Sequence, residues 1–364
     1  MNWSGKRVFL TGHTGFKGGW MALWLQLQGC EVCGYSLLPS TRINLFEDAS
    51  VGRDMRSMIG DVRDAGLLCS ALAGFRPEVV FHFAAQPLVR SSYRDPLGTY
   101  STNVMGTANL FEAVRHTDSV RAVVVVTSDK CYENREWDWS YREIDRLGGY
   151  DPYSSSKACA ELILSAYRNS FFNPADYRSH GVALASVRAG NVIGGGDWAE
   201  DRLIPDIIRA FTVGDPVRIR NPRAIRPWQH VLEPLRGYLA VAESLCESGI
   251  RHEESWNFGP DPSDAQSVEW VLWQLSAAWG DGARWELENA SQPHEDQNLT
   301  LDCSRAATQL RWRPQIGLRQ ALEMTVDWYR ARLQGQEMRA FTCKQIRQYA
   351  NLATAKAASS QSSP

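Results

Sequence analysis

No window of the sequence holds the ~18 uninterrupted apolar residues that a membrane-crossing helix needs. Charge of one sign is missing too: 39 basic side chains stand against 41 acidic ones, a net of −2. A near-neutral chain does not depend on broad electrostatic capture of nucleic acid or of an anionic membrane, so neither is an expected partner. The first residues, Met1 to Arg7, lead directly into an apolar strand pattern without a leader-like stretch, and a cytoplasmic protein is expected. The sequon at Asn298 carries no weight without a leader. The eight cysteines are scattered, not spaced as a disulfide framework. Cys30 and Cys33 form a C-x-x-C, yet no second pair or histidine cluster accompanies them, so buried thiols and no metal are expected. Internal repeats are lacking as well.

What is present is an ordinary globular composition, 44% hydrophobic and 22% charged over 364 residues. At roughly 150 residues per domain, that length suggests two domains, or one large α/β domain with an elaborated lobe. The fourteen tryptophans are read mainly as core residues.

The first half alternates short β-branched runs with helical periodicity, the signature of βαβ units on a parallel sheet. Val8 to Leu10 reads as a first strand, and Trp20, Leu23, Trp24 and Leu27 form the stripe of a first helix. Further strands are read at Glu31–Tyr35, Val79–Phe83, Arg121–Val126 and Val182–Val187, the four valines of the third marking a strand buried on both faces. Helices are read over 99–115 and over Tyr153–Tyr167. Their outward apolar residues suit a four-helix contact in a homodimer or homotetramer. Beyond about residue 188, glycines and prolines break the pattern into short pieces. The expected architecture is a doubly wound α/β sheet of the Rossmann type over 1–186 and a smaller mixed α/β substrate-binding lobe over 187–350. A small, polar tail over 351–364 completes it.

Gly12, Gly15 and Gly18 stand at G-x-x-G-x-x-G spacing between the first strand and the first helix. There they permit a tight turn, close approach to a pyrophosphate and close helix–sheet packing, while the helix N-terminus favours the phosphates. At the end of the second strand no Asp or Glu appears; the residues are Gly34-Tyr35-Ser36, which leaves NAD against NADP open. Asp61 and Val62 are placed to meet an adenine edge, with a helix N-cap as the alternative for Asp61.

Tyr153 and Lys157 form a Tyr-x-x-x-Lys pair on one helical face. A lysine ammonium beside a phenol lowers its pKa, which suits Tyr153 as a base toward a sugar hydroxyl. Ser128, Asp129 and Lys130 follow the four-valine strand, at the carboxyl edge where such sheets bind ligands.

With these pieces assembled, the chain resembles the extended short-chain dehydrogenase/reductase family, and within it the nucleotide-sugar 4,6-dehydratases. The resemblance runs from about Lys6 to Leu322. It rests on TGHTGFKGGW, GDVRD, FHFAAQPLVR, TSDKCYENREW, GGYDPYSSSK, VRAGNVIGGGDWAEDRLIPD and IRPWQHVLEP. It implies an internal redox reaction on a nucleotide-linked glucose with bound NAD. Tyr153 would take the C4 hydroxyl proton, Ser128 would hold that hydroxyl, and Asp129 would protonate the departing C6 hydroxyl. Many relatives carry Glu next to this Asp to remove the C5 proton, whereas this chain has Lys130. Either Lys130 acts as a neutral amine, or it stabilises the enolate while another group takes the proton.

The resemblance further implies cofactor contacts from Gly12, Thr14, Gly15, Phe16, Lys17 and Gly18, and from Asp61, Val62, Phe83, Ala84, Ala85, Thr102, Tyr153 and Lys157. Asn103 is the neighbouring candidate near the nicotinamide. On the substrate side it implies Gln86, Ser128, Asn191, Arg202, Leu203, Arg226 and His230, with Arg226 the leading diphosphate contact. Some relatives carry an arginine near Pro293–Gln297; this chain has none there, and His294 is a weak candidate. A 4-epimerase shares most of these parts but needs no acid for a C6 hydroxyl. A dinucleotide-binding regulator would need no Tyr153.

Overall fold

The computed structural model describes residues 1–364 apart from 220, 281–283, 288–298 and 362–364, and of 353–361 the backbone alone. Twelve strands are described. In chain order they are β1 (Arg7–Thr11), β2 (Glu31–Ser36), β3 (Arg56–Ile59), β4 (Val79–His82), β5 (Ala122–Val126), β6 (Ala183–Ala189), β7 (Asn191–Ile193), β8 (Val217–Ile219), β9 (Ile225–His230), β10 (Ser255–Phe258), β11 (Ala265–Ser267) and β12 (Trp285–Leu287).

Seven of them form one parallel sheet in the order β10-β6-β5-β4-β1-β2-β3. The strand order reverses between β1 and β4, so Thr11 and His82, paired in register, border the crevice where such sheets take ligands. Alternation along the strands divides two cores. Phe9, Val80, Val123 and Val125 face the helices Ala65–Phe75 and Gly106–Arg115, whereas Val8, Phe81, Val124 and Val126 face the other side. β5 is therefore buried on both faces, which is why its four valines run without a polar interruption.

The second half does not stay apart from this sheet. β10 returns to extend it beside β6, while β11-β9-β7 and β12-β8 form small sheets over the carboxyl edge. The last helix, Met338–Gln361, runs through most of the stretch expected as a tail, and Tyr349 packs edge-on against Trp24 of the first helix. The helix expected over 99–115 is three pieces: Pro96–Tyr100, a π turn at Ser101–Met105, and Gly106–Arg115. No described helix is long and apolar enough to cross a membrane.

Candidate active site

The glycine turn is closed on two sides by backbone. A Cβ at Gly12, whose φ is +79°, would lie 2.8 Å from the Ala84 nitrogen, and one at Gly18 would lie 2.1 Å from the Gly12 oxygen. Gly15, by contrast, is exposed and its Cβ position meets nothing closer than 3.4 Å. The helix that follows, Phe16–Leu27, has neither a side-chain cap nor an acidic residue in its first turn. Its first N–H groups are thus left for an anion at Gly15, and the cradle fits a dinucleotide pyrophosphate. Thr11 Oγ1 accepts from the Phe83 and Ala84 amides at 3.1 Å each, pinning the exit of β4 to that of β1. At the end of β2, Ser36 shares a 2.8 Å hydrogen bond with Thr14, so the ribose-proximal position is a neutral hydroxyl. Asp61 is fastened to Arg63 by an ion pair of 2.5 Å, and Asp64 caps helix Ala65–Phe75. Val62 packs in the core against Gly106.

The carboxyl ends of β5 and β6 open into a cavity of about 380 Å³, within the range of small-molecule sites. Ser128, Asp129, Lys130 and Tyr153 line it together with Lys17, Asn191, Arg202, Leu203 and Arg226. Ser128 leaves β5 extended and donates to Asp129 Oδ1 at 2.9 Å. Tyr153 arrives on helix Pro152–Ser170, which begins at Asp151-Pro152: the Asp151 side chain accepts from the Ser154 amide at 2.9 Å, and proline occupies the first turn.

Asp129 is buried, which raises its pKa against the opposing pull of Lys130, Ser128 and Lys17. It is therefore a carboxyl disposed to carry a proton. Tyr153 differs from the expectation. Burial pushes its phenol up to about 12, with the Ser128 hydrogen bond pulling the other way. The Lys157 ammonium donates to the Val126 carbonyl at 3.1 Å. Burial and the nearby Lys17 charge bring Lys157 itself down to about 8. Lys17, expected on the cofactor, opens into the cavity; burial first and Arg202 second lower it to about 8.

Two expected substrate residues are turned away. Gln86 spends its side chain on Leu88 and Thr99, closing the loop after β4. His230 is fully buried, meets Trp20 edge-on, and is pushed down to about 3 by burial. Its place in a nucleotide-enclosing string concealed an inward strand position on β9. Asn103, on the π turn, joins the loop after β4 to the helix of Tyr153, bonding Gln86 and Ser156. Residues not expected from the sequence also line the cavity. Arg90 pairs with Asp201 at 3.2 Å, Asp197 holds Arg202 at 2.9 Å, and Tyr150 and Arg218 lie on the wall. Arg90 and Asp197 fall inside strings quoted above, but only folding brings them to one wall. His294 lies outside the described residues.

Glycine turn, Tyr-x-x-x-Lys helix and a Ser-Asp wall on one seven-stranded parallel sheet define a dinucleotide-dependent enzyme of the extended short-chain dehydrogenase/reductase class. The GDP-mannose 4,6-dehydratase family model matches residues 9–325, and the chain belongs to this family of nucleotide-sugar 4,6-dehydratases. It is 55% identical over 352 residues to the CDP-glucose 4,6-dehydratase of Salmonella typhimurium, covering 97% of this chain and 98% of that one. It is 27% identical to the dTDP-glucose 4,6-dehydratase of Xanthomonas campestris pv. campestris, over 88% and 92%. Among solved structures, DesIV, a dTDP-glucose 4,6-dehydratase from Streptomyces venezuelae with NAD and TYD bound, superposes with a TM-score of 0.76 at 26% identity, over 91% and 99%. MoeE5 in complex with UDP-glucose and NAD gives 0.75 at 26%, over 90% and 99%.

Proposed function

We propose that this chain is an NAD-dependent hydro-lyase that converts CDP-glucose to CDP-4-keto-6-deoxyglucose and water. The observation that carries the dehydratase reading is the buried Asp129, hydrogen-bonded by Ser128 on the wall that also bears Tyr153. An enzyme that only inverts C4 has no hydroxyl to expel and no use for that acid. The choice of the cytidine nucleotide rests on the near full-length likeness at 55% identity.

NAD, which the turn of Gly12, Gly15 and Gly18 would hold, would supply the hydride acceptor for C4 and the hydride donor for C6. Tyr153 accepts the C4 hydroxyl proton while Ser128 orients that oxygen. Once C4 is a ketone its neighbour C5 is acidic, and Asp129 hands its proton to the departing C6 hydroxyl. Lys130 stands beside Asp129 for the C5 step, either as a neutral amine that takes the C5 proton and returns it when C6 is reduced, or as the cation that steadies the enolate while another group removes and returns that proton. Arg202, Arg226 and Asn191 line the part of the cavity suited to the diphosphate. Burial works against the Arg202 charge, and Asp197 more than offsets it.

The same reading places the enzyme in the cytoplasm, supplying a deoxyketosugar for O-antigen or related surface polysaccharide. It works as a homodimer or homotetramer built on the helices within 96–115 and 152–170. The test is a mass measurement of purified protein with NAD and, separately, CDP-, dTDP-, GDP- and UDP-glucose. Loss of one water from CDP-glucose alone is expected. Unchanged mass with all four, together with inverted C4, would replace this reading by a 4-epimerase.

A further inference from the structure

Behind the catalytic wall lies a buried ion pair, Glu161 with Arg188, whose own side chains are not among those lining the cavity. Glu161 sits one turn beyond Lys157 on helix Pro152–Ser170. Its carboxylate accepts from Thr127 Oγ1 at 2.5 Å, Ser186 Oγ at 2.7 Å, Ser255 Oγ at 3.1 Å, and Arg188 Nε and Nη2 at 2.8 Å each. Arg188 Nη1 continues to Tyr132 Oη at 2.7 Å, and Tyr132 donates to Asn257 Oδ1 at 2.8 Å. One carboxylate thus joins the helix of Tyr153 and Lys157 to the end of β5 immediately before Ser128, and to β6 and β10. Burial would raise Glu161, but Arg188 and these donors hold it down to about 2.

We infer that Glu161 and Arg188 are positioning residues: the pair sets the register of the Tyr153–Lys157 helix against Ser128–Asp129 and balances the charge that Lys157 feels. The inference rests on the dehydratase reading. The groups facing Lys157 are Lys17 from the first helix, His82 from β4, Cys131 from the turn after β5, and Glu161 on its own helix. Asp129 and Lys130 lie on the same turn as Cys131, and Arg188 stands behind Glu161. Glu161 favours the ammonium form of Lys157 against burial and Lys17. Arg188 cancels part of that support, so removing one partner or the other has opposite electrostatic consequences.

That opposition supplies a test that fold damage alone does not mimic. In the NAD-loaded full chain, kcat for CDP-glucose is measured against pH for Glu161→Gln, Arg188→Met and the double variant, with thermal melts alongside. Glu161→Gln strands the Arg188 cation, and the alkaline limb is expected about one pH unit lower. Arg188→Met strands the carboxylate and moves the limb up by a similar amount, while the double variant returns near the wild type. Both single variants lower kcat roughly tenfold to a hundredfold with KM within about twofold. Limbs that coincide, or move the same way, overturn the inference. Should a charge variant fail to fold, Ser186→Ala keeps both charges and removes one donor to Glu161 away from the cavity: a kcat about tenfold lower with an unmoved limb supports the register role, and an unchanged kcat overturns it. A wild-type chain that dehydrates no nucleotide-linked glucose defeats the dehydratase reading instead.

Discussion

Asp129 and Tyr153 share one wall of the cavity, and burial favours the protonated form of each. For Asp129 that is the form an acid needs before the C6 hydroxyl leaves. Tyr153 needs its proton removed as the C4 hydroxyl reacts, so its replacement is the sharpest single change. Tyr153→Phe is expected to lower dehydration about 10²- to 10⁴-fold, read as product mass, with little change in the melting temperature. A second residue-scale expectation concerns stability. Burial raises Glu253 from 4.5 to about 7, although its Oε1 accepts from the Leu184 amide at 2.9 Å. Because the folded state holds this proton more tightly, its contribution is present below about pH 4.5 and is lost as pH climbs toward 7. Glu253→Gln keeps an acceptor and removes the charge. It is therefore expected to stabilise the protein by about 1–2 kcal/mol at pH 8 and by almost nothing at pH 4, in denaturant melts at the two values.

At the scale of elements, backbone proximity explains both the cofactor cradle and the π turn. Gly18→Ala would place a methyl 2.1 Å from the Gly12 oxygen, and neither partner can retreat without opening the turn. A loss of about 1–3 kcal/mol and a weakened dinucleotide affinity are expected, in a melt and a fluorescence titration. The glycine turn and the Tyr153–Tyr167 helix were both legible, since tight turns and helical periodicity leave local marks. The π turn at Ser101–Met105 was not: its extra residue serves to bring Asn103 between Gln86 and Ser156, a demand made by other elements. The upward shift of the Tyr153 phenol was not legible for the same reason: it comes from burial by distant elements, and the i, i+4 spacing of Tyr153 and Lys157 does not record that burial.

Across the whole molecule, one flank of the sheet carries helices with apolar residues in water. Leu97 is 81% exposed, Leu162 58% and Met105 55%, on elements that pack against one another. Such a surface is costly in a monomer and suits a second copy of the chain. A Leu97→Glu, Leu162→Glu double variant is expected to sediment as a monomer in an ultracentrifuge while the wild type sediments as a dimer or tetramer. Equal sedimentation of the two would remove these helices as the contact.

Periodicity and local turn chemistry determine, from the sequence alone, the alternation of strands and helices, the glycine cradle, and the presence of Ser128, Asp129, Tyr153 and Lys157 near the carboxyl edge. These are effects of neighbours within a few residues. The tertiary structure decides the rest: that β10 rejoins the sheet, that His230 turns inward against Trp20, and that Lys17 opens onto the substrate cavity. It also decides which proton each group keeps. Burial and long-range pairing depend on segments as far apart as Tyr132 and Asn257, and no local pattern in the chain records where such segments meet.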